Sequence, residues 1–378
     1  MNHPFPLSTD DPLGVRADFP VTAEAIYLAS PFITPSPRTA VHAAQQFAAA
    51  KGHLPYDLEE MLATADVLRR QYARLINAKT AEIGLLYTTS EAENMVAAAL
   101  NLQPGENIVI NELHYYASFV IYEQWARRGV EIRVVPSVAG AAPPASFAPL
   151  VDNKTRLISV AWISHQNGCR HDLAALAELA HAQGAYLYAD VIQGVGSLPL
   201  DVRAAGLDFC AAGSYKWLLG GFGVAPFYVR EVLLPMIEPH GYGLFHVAEK
   251  LGPLAHRVYE DGRKFMYATP SFGAIYQLSA GLEYLLNIGV ANIAAHVLPL
   301  AHHLCDSLAA MGYGVVTPAG NDAAVVAFKH GRDAAELKQL LAAAGIHVTF
   351  RENDSQIRVG VALFNNRAEV DRFLEVMG

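Results

Sequence analysis

The chain has 378 residues, of which 52% are hydrophobic and 17% charged, enough for two domains around a large buried core. A formal net charge of −9 and the absence of any basic stripe argue against a nucleic-acid partner. The three cysteines, Cys169, Cys210 and Cys305, lack CxxC spacing, which speaks against a disulfide framework or a metal site and fits a reducing cytoplasm. The opening stretch MNHPFPLSTDDPLGVRADFP has no basic region followed by an apolar run, so no secretory leader is expected. No segment carries the roughly 18 uninterrupted apolar residues of a membrane span. The expectation is a cytoplasmic protein with no membrane partner.

From residue 35 onward, helical patterns alternate with short β-rich runs. PRTAVHAAQQFAAA, DLEEMLATADVLRRQYARLI and SEAENMVAAAL read as helices. Strands are expected at 83–87, 107–111, 131–136, 156–162, 185–190, 208–214 and 223–229. DLAALAELAHAQG, between two of these, starts on a capping aspartate and ends on glycine, the usual punctuation of a helix. Strands nearly free of charge, alternating with helices, imply an α/β protein with a mainly parallel seven-stranded sheet covered on both faces. VAGAAPPASFAPL reads as a loop. After about residue 265 the pattern shifts to long helices (SFGAIYQLSAGLEYLLNIGV, HVLPLAHHLCDSLAAMG) and short strands (GVVTP, AAVVAFK, IHVTF, QIRVGVA). The organisation expected is an arm (1–25), a large domain (26–262) and a smaller α+β C-terminal domain (263–378).

Several residues carry chemistry. Asp190 closes an apolar strand, and parallel sheets gather ligands at the carboxyl ends of their strands; alone, it serves equally well as a turn or cap residue. Gln193 follows three residues on. Lys216 sits in GSYKWLLGGFG, an apolar and glycine-rich setting without an acidic neighbour. Such an amine either snorkels to water or is held unprotonated for attack on a carbonyl. A carboxylate for a pyridine nitrogen, an amide for a phenolic oxygen and a lysine for an imine meet the needs of pyridoxal phosphate. YTTSEAEN opens a helix after a strand. Its free amides, with Thr89 and Ser90, suit a phosphate dianion, although TTSEAE is equally an ordinary capping sequence. Tyr115 or Tyr116, in NELHYYAS, offers a flat ring at the sheet edge.

The order TSEAEN, ADVIQ, GSYKW, GG-x-G, YATP resembles the class V aminotransferase family of fold-type I pyridoxal-phosphate enzymes. Its nearest-looking branches are cysteine desulfurase, selenocysteine lyase and isopenicillin-N-epimerase-like proteins, and the resemblance spans roughly residues 25–376. It implies that Lys216 carries pyridoxal 5′-phosphate covalently, Asp190 pairs with the ring nitrogen and Gln193 contacts the ring oxygen. Thr89, Ser90, Ser214 and Tyr215 then surround the phosphate, and Tyr115 stacks on the ring. Thr269, in RKFMYATPSF, reaches a phosphate across the interface of a homodimer. Arg358 grips the substrate α-carboxylate, with Arg351 as the second arginine of the region.

Departures from the family pattern bear on the reaction. The desulfurases' mobile cysteine has no counterpart in RENDSQIR. His165, in WISHQNG, stands where desulfurases often have asparagine, and YLASPFI replaces the usual entry segment. The expected activity is a lyase reaction on an amino acid substituted at Cβ, with C–S cleavage; transamination or epimerisation is the alternative. A nucleotide-binding enzyme has little support, since neither GVGSLP nor GGFG completes a GxGxxG motif. A binding protein that has lost its chemistry is the remote alternative.

Overall fold

A computed structural model describes residues 8–53 and 57–378; residues 1–7 of the expected arm lie outside them. Seven segments pair into one sheet. In spatial order they are Ile83–Leu86, Ala225–Val229, Phe209–Ala211, Tyr186–Asp190, Thr155–Ala161, Asn107–Asn111 and Glu131–Val135. Ala225–Val229 alone runs against the rest, antiparallel to both neighbours; the other four pairings are all parallel. Burial on both faces explains the uncharged strands. Val109 joins one apolar cluster and its neighbours Ile108 and Ile110 the other, as the two-residue period of a strand requires. The exception is the edge strand Glu131–Val135, which carries Glu131 and Arg133 toward solvent.

The connecting helices form where the sequence supplies both a cap and an apolar stripe. Asp172 accepts the amide of Ala175 at 3.1 Å, and helix Leu173–Ala182 turns Leu173, Leu176, Ala177 and Ala180 into the core. Gly184, at φ +72°, ends it. The stretch expected as a loop, 138–150, instead holds two short helical turns, Pro144–Phe147 and Ala148–Leu150. Their prolines occupy the first turn, where no N–H is needed.

The C-terminal segments build a second, antiparallel sheet in the order Gly314–Val315, Val325–Lys329, Gln356–Gly360, Thr349–Arg351. IHVTF divides between two partners: Ile346–His347 pairs in parallel with Ile26–Tyr27, and Thr349–Arg351 pairs with Gln356–Gly360. The described part of the arm is tied to this region. Arg16 forms a buried ion pair with Glu369 at 2.8 Å, and Phe19 packs between Tyr284 and Phe364. A hairpin that the sequence reading did not foresee, Val247–Gly252 with Ala255–Val258, projects near the end of the large-sheet region. Among the described residues no single helix is long and apolar enough to cross a membrane. The helices Phe272–Ile288 and Val290–Ala310 pass only as a pair bent by 78°, and both turn leucine faces into the core.

Candidate active site

The carboxyl ends of three strands meet in register, with Ala161 beside Asp190 and Asp190 beside Ala211. Above them lies a small, partly enclosed cavity. Asp190, Lys216 and Gln193 line it from the sheet side, Thr89 from a helix start, and Tyr115, His165 and Tyr215 from the surrounding loops. The structure thus brings seven of the sequence-predicted residues around one space.

Lys216 is held by its backbone. Leu219 adopts the left-handed φ of +62° that non-glycine residues seldom take, which lets its N–H reach the carbonyl of Lys216 at 3.0 Å and Gly220 reach Ser214 at 2.9 Å. Gly196 sits under this turn, and a Cβ there would lie 2.3 Å from the carbonyl oxygen of Trp217. Lys216 itself is 8% exposed. Burial, then the guanidinium of Arg358, moves its amine well below the ordinary lysine range, against the opposing pull of Asp190. Asp190 is buried as well, and burial raises its carboxyl. One of its oxygens accepts the N–H of Ile192 at 3.0 Å, and the other makes no hydrogen bond among the described residues.

Gln193 is fixed at both ends of its amide. It donates to the carbonyl of Pro31 at 2.9 Å and accepts from the indole of Trp217 at 3.1 Å, which leaves one N–H to spend. Pro31 belongs to the entry segment YLASPFI. It is pressed against Gly360, where a Cβ would come within 2.1 Å of the proline ring. The second sheet therefore meets the entry segment through a glycine.

The helix Thr89–Ala99 points its first turn at the cavity. Thr88 caps it by accepting the amide of Glu91 at 3.1 Å, so the amides of Thr89 and Ser90 lie outside the helical ladder, as first-turn donors do. Ser90 does not line the cavity. Tyr115 does, with its ring edge-on to His165 at 5.0 Å, whereas Tyr116 begins the next helix and is 74% exposed. Tyr215 is stacked on Phe222 at 4.4 Å. Ser214 spends its hydroxyl proton on the carbonyl of Gly221 and is not a lining residue. Thr269 is exposed outside the cavity, its carbonyl accepting the hydroxyl of Tyr87.

Arg358 rises from strand Gln356–Gly360 and is buried with no carboxylate partner among the described residues. Its Nη1 donates to the carbonyl of His165 at 2.5 Å, and its Nε has no partner. Burial, then Arg351, lowers its guanidinium to about 10. Burial, then Arg351, Arg358 and Lys216, holds the imidazole of His165 far below its usual value, so it stays neutral, and its Nδ1 is also orphaned. The unspent guanidinium N–H of Arg358, beside the cavity-lining His165, is a buried donor that an anion could satisfy. The donor set fits a flat, phosphorylated aldehyde: an amine for its carbonyl, a carboxylate for a ring nitrogen, an aromatic wall, and helix-start amides for its phosphate.

The sequence reading missed Phe222 behind Tyr215 and a buried polar cluster of Glu93, His114, Ser118 and Ser159 beneath Tyr115. A glutamate on the inner face of the apolar helix SEAENMVAAA was the signal that could have revealed the cluster.

A buried lysine and an aspartate sharing one cavity at the carboxyl edge of a mainly parallel sheet define a fold-type I pyridoxal-phosphate enzyme. The family profile described as Aminotransferase class-V matches residues 26–373, and the chain belongs to that family. It is 30% identical over 304 residues to a probable cysteine desulfurase of Methanothermobacter thermautotrophicus, covering 77% of this chain and 74% of that one. It is 29% identical over 389 aligned positions to a cysteine desulfurase of Klebsiella pneumoniae, covering 95% and 96%. The solved structure of the cysteine desulfurase CsdA from Escherichia coli superposes with a TM-score of 0.85 over 98% of each chain at 25% identity.

Proposed function

We propose that this protein is a C–S lyase that acts on an α-amino acid carrying a sulfur substituent at Cβ, with pyridoxal 5′-phosphate held on Lys216. One observation carries the reading: Lys216 and Asp190 share a single buried cavity, and burial pushes the amine toward neutrality. The bound cofactor supplies an electron sink that makes the substrate's Cα–H acidic and lets a leaving group depart from Cβ. The protein's own groups do the rest. The amine of Lys216 carries the cofactor and then takes the Cα proton, a role that needs an amine far less basic than free lysine. The carboxylate of Asp190 keeps the ring nitrogen protonated, and the spare N–H of Gln193 serves the ring oxygen. Thr89, the backbone amide of Ser90 and Tyr215 serve the phosphate, with Ser214 supporting their turn. Tyr115 covers the ring face.

Arg358 grips the α-carboxylate, with Arg351 beside it, and neutral His165 meets the substrate's side chain. The exposed Thr269 serves the phosphate of a second copy, so the working unit is a homodimer with shared sites. The unpaired state of all three cysteines supports a reducing, cytoplasmic setting.

Lyase chemistry without a persulfide relay is favoured by the tip of the second sheet. Between Arg351 and Gln356 the chain makes a tight turn with Glu352, Asn353 and Asp354 all at positive φ, pinned by Lys338 to Asp354 at 2.6 Å. It holds no cysteine. Cys169 and Cys210 are buried and Cys305 is half-buried on the helix Val290–Ala310. The test is incubation of the cofactor-loaded enzyme with cysteine and its S-conjugates. Release of pyruvate, ammonia and the thiol in equal amounts is expected. A keto acid formed only when an amino acceptor is present would establish the transaminase alternative instead, and loss of Cα configuration without either product the epimerase.

A further inference from the structure

Four elements meet in an enclosed polar cluster one layer beneath the cavity wall. Glu93 comes from helix Thr89–Ala99, His114 from the link after strand Asn107–Asn111, Ser118 from helix Tyr116–Ala126 and Ser159 from strand Thr155–Ala161. All four are buried, His114 and Ser159 completely. No lysine or arginine pairs with the Glu93 carboxyl among the described residues.

Hydrogen counting fixes the direction of the bonds. The backbone N–H of Tyr115, 2.8 Å from His114 Nδ1, can only donate. Nδ1 is therefore the acceptor, and the proton of the neutral imidazole sits on Nε2. Nε2–H then donates to Ser159 Oγ at 2.9 Å, and that hydroxyl donates to Glu93 Oε1 at 3.0 Å. Ser118 Oγ donates to Glu93 Oε2 at 2.8 Å and lies 3.0 Å from His114 Nδ1. Burial keeps the imidazole neutral by lowering it to about 3, which agrees with this assignment.

The chain of bonds ends on the backbone of Tyr115. That residue precedes the first turn of its helix, in extended conformation, without a side-chain cap. Tyr115 is nearly half exposed, and its ring lies edge-on to that of His165. With so much of the residue exposed, its backbone is what anchors it to the buried cluster, and its backbone N–H is spent on His114. A buried network in which every member is bonded is rigid, and one lost member leaves the others unpaired.

We infer that Glu93, Ser118 and Ser159 act through His114 as positioning residues that fix Tyr115 and, with it, the aromatic wall of the cavity. The consequence for the loaded enzyme rests on the function proposed above; the anchoring itself belongs to the bare protein. The test is hydrogen exchange at the Tyr115 amide in the full-length, cofactor-free protein. Ser159→Ala and Ser118→Ala should speed it about five- to tenfold, the effect of weakening one buried hydrogen bond. Ser159→Thr, which keeps the hydroxyl, should restore it, and strand 107–111 should keep its protection in all three.

In the loaded enzyme Ser159→Ala should diminish the circular dichroism of the bound chromophore, as Tyr115→Ala does, with no additional loss in the double variant. Unchanged exchange at Tyr115 in both alanine variants would overturn the inference. So would equal loss of protection in strand 107–111, which would mean general loosening. A protein that takes up no cofactor would defeat the proposed function while leaving the exchange comparison readable.

Discussion

Lys216 is a cation that the fold keeps from being one. Burial and Arg358 both work against its protonation, so its amine should be reactive at a pH where ordinary lysines, at about 10.4, are almost wholly charged. Covalent uptake of pyridoxal phosphate by the cofactor-free protein should therefore rise with pH through a midpoint several units below that value. A midpoint near 10 would show an unperturbed amine.

Glu93 gives a second titration with the opposite sign. Burial lifts its folded carboxyl from 4.5 to about 7. Below the unfolded value both states are protonated and nothing is lost. Between the two values the unfolded chain ionises first, so the native state loses stability, and above about 7 the penalty is constant. Glu93→Gln removes the titration. Relative to wild type it should gain on the order of 1–3 kcal/mol between pH 5 and pH 8, read by urea denaturation at each pH.

Legibility differed sharply among residues. Asp190, Gln193 and Lys216 stood out because Asp190 ends a strand and the other two lie in apolar turns a few residues past strand ends, where a polar group has few reasons to be. They line one cavity together with Thr89, Tyr115, His165 and Tyr215. Choosing Tyr115 over Tyr116 required the helix start, which turns adjacent side chains in different directions. The Glu93 cluster was not readable, because its members lie up to 66 residues apart in sequence and only the sheet register brings them together.

At the scale of elements, the large sheet was legible because its strands are short, uncharged and bounded by capped helices. Strands expected at 107–111 and 185–190 form at 107–111 and 186–190. Signals failed where tertiary partners overrode composition: IHVTF splits between two sheets, and the hairpin at 247–258 has little apolar alternation to announce it. The contact most dependent on sequence detail is Gly360 against Pro31. Gly360→Ala would drive a Cβ into the proline ring, and should cost about 1–3 kcal/mol by overpacking. It should also disturb Gln193, whose amide is bonded to the same Pro31 carbonyl. The expected outcome is a lower urea midpoint together with weaker cofactor retention; a midpoint equal to wild type would show that the proline contact can yield.

For the whole molecule, two expectations follow from the proposed function. If no cysteine relays sulfur, Cys305→Ser, at the half-buried cysteine, should leave turnover within about twofold, because the residue lies away from the cavity and the change is small. A loss of activity with retained cofactor would restore a thiol to the mechanism. If Thr269 serves the other copy, Thr269→Val should weaken phosphate retention without changing the dimer, as seen by gel filtration at equal concentration.

The central claim is a covalent one, and reduction tests it most directly. The purified, cofactor-loaded protein is treated with borohydride, digested, and its peptides weighed. A single peptide carrying the added mass of reduced pyridoxal phosphate is expected, with the modification on Lys216 and absent from Lys216→Ala. The same mass on another lysine, or on none in a protein that remains yellow, would contradict it.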